Sequence, residues 1–237
     1  MAFTITWTPF RGCWRDWVFP PQKPQARAKE RDEAALRQWI DRDWPRIKRR
    51  VARTHATLVF IDETGFLLHP LVRRTWAPRG QTPVLRTRVR HRRRVSAIGG
   101  VSISPGRRRL GWYLQFHMDV GIRQAQVIAF LRHLLHHVHG AVLVVWDRLG
   151  AHKGGALRGW LRRCRRLHLE FLPPYAPELN PNEYGWAYLK TGTLANYCPD
   201  DVEELHGTVL VAARTVRRQQ NLLRSFVRAT KLPFRFN

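Results

Sequence analysis

Apolar positions along this chain fall into two kinds of run. Short stretches of strand length occur at residues 58–61, in RVSAIGGVSIS, in LGWYLQF, at residues 141–146 and in LHLEFLP. Their bounded length and β-branched content predict buried strands. Longer stretches repeat apolar residues every three or four positions. Ala35, Leu36, Trp39, Ile40 and Ile47 mark one between residues 25 and 54, and others cover 122–139, 153–166, a segment around Glu183, and 200–228. That spacing predicts amphipathic helices. Pro45 is expected to break or kink the first, because proline lacks an N–H and clashes with the preceding turn. Pro105, Gly106 and three arginines between the second and third strands read as a hairpin tip.

The predicted order is three strands, a helix, a strand, a helix, a strand, then helices. It implies an α/β domain with a mixed five-stranded sheet, three antiparallel strands followed by two more, flanked by helices. Residues 1–24 are aromatic and proline-rich and end in FPPQKP, which favours an extended arm or linker. Residues 25–54 form a helical linker segment in this reading, and residues 55–237 the principal domain with its C-terminal helices. No internal repeat is visible.

Charge changes the picture more than composition does. The chain carries 42 Lys and Arg against 17 Asp and Glu, a formal charge of +25, which points to a polyanionic partner such as nucleic acid. The predominance of arginine over lysine also fits a bias in genomic composition, so charge alone decides little. Cys13, Cys164 and Cys198 are widely spaced without a CxxC pair, so no disulfide framework or structural zinc site is indicated. No apolar run is long enough to cross a bilayer and the start lacks a signal-peptide pattern, so no membrane association and a cytoplasmic location are expected. Neither GxGxxG nor GxxxxGK[ST] occurs.

Three carboxylates stand out against this basic background. Asp62 follows LVFI, Asp147 follows AVLVVW, and Glu183 lies in PPYAPELNPNEYGW, with 35 residues between the second and third. A strand ending in Asp presents its carboxylate at the edge of a sheet. Magnesium takes carboxylate oxygens and water and leaves positions for phosphate oxygens, and a pair of such ions can serve both sides of an in-line displacement. Any one of the three reads equally well as a cap or a solvated side chain; three in compatible contexts point to a divalent-metal site.

From about Phe19 onward the chain resembles the catalytic part of bacterial insertion-sequence transposases of the mariner superfamily, the DDE endonucleases. IDETGF, RRTWAPRGQTP, VVWDRLGAHK and above all LPPYAPELNPNEYGWAYLK carry the resemblance. It implies a ribonuclease H-like fold, with Asp62, Asp147 and Glu183 as both catalytic triad and ligands of Mg2+ or Mn2+, two ions in all. It also implies double-stranded DNA as partner, both element ends and target, a homodimer on that DNA, and DNA cleavage followed by strand transfer. Relatives place helix-turn-helix modules ahead of this domain, and no room for them exists before residue 25. A shortened gene and a separate upstream frame both account for that. Arg148 stands where Asn or Gly is common in the family. An inactive DNA-binding remnant and a ribonuclease H-like nuclease or resolvase without strand transfer are the alternative readings.

Further candidates are weaker. Arg86, Arg88, Arg90, Arg92, Arg93 and Arg94 form the densest basic tract. Alternation would place the first three on one face of an extended segment able to track phosphates; a solvated edge strand is the competing reading. His152, which matches a histidine of the family pattern, and Lys153 follow Asp147 closely enough to contact DNA, and a structural hydrogen bond suits His152 as well. His133 and His137 have metal-bridging spacing, but the HExxH glutamate is absent, so partly exposed helix histidines are expected. Trp76 is expected in the core, and Asn180 as the N-cap of a helix beginning at Pro181.

Overall fold

The computed structural model describes residues 28–87, 93–106, 108–147, 155–234 and 236. Five strands form one sheet: β1 Thr57–Leu67, β2 Arg94–Ile103, β3 Leu110–Met118, β4 Val142–Trp146 and β5 Leu167–Phe171. Their spatial order is β3-β2-β1-β4-β5. The first three pair antiparallel, and β4 and β5 join parallel beyond β1. This is the sheet expected from the run of apolar segments. The expected arm, residues 1–24, falls outside the described residues.

Helices cover both faces, and side chains alternate between them. Val59 and Ile61 of β1 join β4's Val142, Val144 and Trp146 under α3 (Gln124–His137) and α4 (Gly155–Arg163). Leu58, Phe60 and Phe66 point the other way, into a larger core. That core is shared with α1 (Glu33–Gln38), α2 (Trp44–Thr54), α5 (Pro181–Tyr188), α6 (Val202–Arg218) and α7 (Gln220–Ala229). Leu36, Trp39, Trp44 and Ile47 are buried within it, so the segment expected as a linker packs as part of this unit.

Several boundaries differ from the sequence reading, each for a local reason. The helix expected from residue 25 begins at Glu33, where the Asp32 carboxylate accepts from the N–H groups of Ala34 and Ala35. The irregularity expected at Pro45 falls just before it. Residues Trp39–Asp43 widen into a π-helical turn, and Pro45 sits in the first turn of α2, where its missing N–H costs nothing. The long last helix is two, interrupted at Gln219 with extended backbone. The next side chain, Gln220, donates to the carbonyl of Leu110 at 2.8 Å and accepts from its N–H at 2.9 Å.

The strand expected to stop at Asp62 continues to Leu67. β2 supports this extension along its whole length, Leu67 opposite Arg94, whereas the pairing with β4 ends at Phe60 opposite Val145. Trp76 corrects another expectation. It is fully exposed, in a loop whose base is held by Asn196, which bonds both the N–H and carbonyl of Arg73.

Gly99, opposite Asp62 on β2, is a glycine because of what crosses it. A Cβ there would stand 2.6 Å from two ring atoms of Trp186. Gly99→Ala should therefore destabilise the protein by about 1–3 kcal/mol, the usual cost of overpacking a filled core. Urea unfolding of the two proteins measures it, and equal midpoints would show that the indole can move aside freely.

Candidate active site

The register of the sheet brings Asp62 and Asp147 level. Because Phe60 pairs with Val145 in parallel, two residues further along each strand lie Asp62 and Asp147, on the face to which Phe60 and Val145 also point. β1 has by then lost β4 as a neighbour, so both carboxylates stand at an opening in the sheet. The third carboxylate arrives on α5. Pro181 occupies the first helical position and the Asn180 side chain caps the helix by accepting from the N–H of Asn182 at 3.1 Å, as the sequence suggested. Glu183 follows in the first turn.

Two asparagines fasten this helix to the strand. Asn180 Nδ2 donates to the carbonyl of Ile61 at 3.0 Å and Asn182 Nδ2 to that of Phe60 at 2.7 Å. Trp112 Nε1 donates to Asn182 Oδ1 at 3.0 Å. Both asparagines are buried, where an unmet amide costs more than a met one contributes.

Asp62, Asp147 and Glu183 line one cavity of about 490 Å³, together with Asn180 and a wall formed by residues 172–177. Among the described residues, no three His, Cys, Asp or Glu side chains already enclose a point as an ion would require. Closure on a cation would therefore involve rotation of these side chains. Among the described residues lining the cavity the donors are all oxygen, with no histidine or cysteine, a set that fits a hard divalent cation.

The electrostatics express the same crowding. Burial pushes the Asp62 carboxyl well above its ordinary range, and Glu183, Glu63 and Asp147 add to the effect; the indole of Trp186, donating to Oδ2 at 2.9 Å, opposes it. Glu183 is raised by partial burial, with Lys190 pulling down and Asp147 pushing up. Lys190 is itself lowered by burial, against the attraction of Glu183 and Asp62. Its ammonium donates to Thr64 Oγ1 at 2.6 Å and lies 5.5 Å from the centroid of the Phe66 ring. Trp186 and Lys190 received no role in the sequence reading. Their signal was spacing, since three and seven residues after Glu183 lie on the same side of a helix.

The basic candidates fare unevenly. Arg86 is exposed in a loop rather than on a strand, and Arg94 is exposed at the start of β2. Arg93 is engaged with Asp119 at 2.8 Å and Glu203 at 3.4 Å. Arg88, Arg90, Arg92, His152 and Lys153 lie outside the described residues. The rings of His133 and His137 approach to 4.4 Å, but the ring Nδ1 of His137 is hydrogen-bonded to the carbonyl of His133. No described helix is long and apolar enough to span a membrane.

Residues 57–206 match the family model described as DDE superfamily endonuclease. The chain belongs to that family. Comparison by sequence with curated proteins finds no match. Among solved structures, it is similar to a Mos1 transposase paired-end complex with the left transposon end, at 18% identity and a TM-score of 0.61, covering 92% of this chain and 65% of that one. A Mos1 mariner paired-end complex with Mn gives 16% and 0.62, covering 92% and 64%. The Mos1 transposase catalytic domain with Raltegravir and Mg gives 15% and 0.53, covering 85% of this chain and 94% of that one. The chain thus spans about two-thirds of the longer Mos1 chains and nearly all of the catalytic domain. At these identities the likeness shows the fold, the ribonuclease H-like fold of a transposase catalytic domain.

A carboxyl that holds its proton more firmly when folded than when unfolded weakens the fold as pH climbs between its two pKa values. Asp62 and Glu183 are both raised in the folded chain. In EDTA, this family member should accordingly lose stability as pH rises from the ordinary carboxylate range near 3.8. Asp62→Asn, which keeps an oxygen for Trp186, should flatten that decline and raise the neutral-pH midpoint. Urea midpoints from pH 4 to 8 test this; an unaltered slope in the variant would remove Asp62 from the account.

Proposed function

We propose that this chain is the catalytic domain of an insertion-sequence transposase that cleaves DNA and transfers the freed strand, with Asp62, Asp147 and Glu183 as its catalytic carboxylates and Mg2+ or Mn2+, two ions, as cofactor. The observation that carries this is the convergence of those three residues, from two parallel strands and a helix, on one cavity inside a chain of the DDE endonuclease family. The similar Mos1 structures are complexes with a transposon end, with Mn and with Mg, and this chain would share those ligands. A double-stranded DNA partner, bound as element ends and target by a homodimer, belongs to the same reading.

Bound there, a divalent cation would neutralise charge on the phosphodiester and make a coordinated water more acidic. The protein's own contribution is arrangement. Trp186 occupies one oxygen of Asp62 and leaves the other for the cavity. Thr64 and Phe66 hold the Lys190 ammonium where it is attracted to Glu183 and Asp62 and balances part of their charge. The wall of residues 172–177 bounds the cavity on another side. The exposed Arg86 and Arg94 would contact DNA phosphates, and Arg88, Arg90, Arg92, His152 and Lys153 are given the same role. Arg93 would have to exchange Asp119 and Glu203 for phosphate.

Asp147→Asn should reduce cleavage of duplex DNA in Mg2+ or Mn2+ to the EDTA level without lowering the melting temperature. Cleavage of plasmid and of duplexes taken from both flanks of the gene, with a thermal melt alongside, measures both. Undiminished cleavage by the folded variant would remove Asp147 from the site. Joining of a pre-cut 3′ end to a second duplex distinguishes transposition from simple hydrolysis.

A further inference from the structure

The helical segment ahead of the sheet is tied to the wall of the acidic cavity. Arg31 Nη2 lies 2.6 Å from Glu178 Oε1, Nη1 donates to the carbonyl of Tyr175 at 3.3 Å, and Nε donates to Glu33 Oε1 at 2.7 Å. Its side chain is only 13% exposed. Nearby, Trp39 Nε1 donates to the carbonyl of Phe171 at 2.8 Å, and Arg46 and Arg50 both reach Glu170, at 2.8 and 3.2 Å. These ties fall on residues 170–178, the stretch that includes the cavity wall.

That wall needs outside support. Tyr175 has φ of 56°, a left-handed conformation that costs a non-glycine residue energy and persists where surroundings impose it. Pro173, Pro174 and Pro177 stiffen the stretch without supplying backbone donors. Beyond it the connection to the site is short. Glu178 lies in the 3₁₀ turn Pro177–Leu179, which leads into the Asn180 cap of α5. The hydroxyl of Tyr184, the residue after Glu183, donates to the carbonyl of Glu178 at 3.2 Å.

We infer that Arg31 is a positioning residue, clamping the wall at Tyr175 and Glu178 and thereby setting the first turn of α5, from which Glu183 enters the cavity. An exposed ion pair would have little such effect. A largely covered guanidinium serving three oxygen acceptors in fixed directions fixes geometry as well as charge. The inference rests on the proposed function for the meaning of the cavity, while the clamp itself has a readout independent of activity.

The test uses the full chain and three variants: Arg31→Ala, Arg31→Lys, and Arg31→Glu combined with Glu178→Arg. In Arg31→Ala, amide hydrogen exchange should accelerate across residues 172–180 and stay unchanged in β4. DNA cleavage should slow by roughly ten- to a hundredfold, the scale of a small misplacement of a reacting group, while duplex affinity is retained. The charge-exchanged pair should recover both protection and rate in part, and Arg31→Lys should recover less than full rate because it cannot serve all three acceptors. Unchanged exchange across 172–180 in Arg31→Ala would overturn the clamp. So would a loss of rate that follows a fall in melting temperature and is not recovered by the exchanged pair. Wild-type protein that fails to cleave would count against the proposed function alone, and exchange would then decide the inference.

Discussion

The site depends on two side-chain amides that tie a helix to β1 where its pairing with β4 ends. At the point where β1 parts from β4, the carbonyls of Phe60 and Ile61 accept from Asn182 and Asn180. A backbone carbonyl left unmet in a dry interior is costly, so these contacts fix helix against strand with little latitude. Everything else on α5 inherits that registration: Glu183 on the cavity side, Trp186 across Gly99 to Asp62, and Lys190, just beyond the helix, to Thr64. A displacement of α5 by one turn would separate all three from their partners at once.

This rigidity is set against a local electrostatic penalty. Burial raises the Asp62 and Glu183 carboxyl groups, neighbouring carboxylates add to it, and one indole and one ammonium offset only part of that. The surrounding packing bears the difference. Trp112, Trp186, Phe66 and Phe226 form a chain of ring contacts at 5.1–6.3 Å behind the carboxylates, and such contacts favour a fixed arrangement over a collapsed one.

Much of this was legible in the chain of letters. The succession of strands followed from short apolar runs, Asp62 and Asp147 from their places after two of them, and Glu183 from the segment PPYAPELNPNEYGW around it. What escaped was long-range or depended on neighbours. The continuation of β1 to Leu67 is imposed by β2, since ETGFL has no apolar run of its own. Trp76 read as core because tryptophan usually is, yet its loop, held near Leu71–Arg73 by Asn196 and Ala195, leaves the ring fully exposed. The partnership of Arg31 with Glu178 spans most of the chain and leaves no local trace. Trp186 and Lys190 were in plain view at helical spacing from Glu183, and their roles became apparent only once the strand they face was known.

The side chain of Gln220 has a consequence for the outer rim of the sheet. β3 is an edge strand, and edge strands offer free N–H and C=O pairs on which another chain can build. At Leu110 both groups are already occupied by one amide, which imitates the hydrogen-bonding pattern of a neighbouring peptide. A foreign strand aligning from that end would have to evict Gln220 and loosen the start of α7 before its first ladder bond could form. The break between the two last helices thus doubles as a stopper against unwanted assembly, using the residue that the interruption at Gln219 sets free.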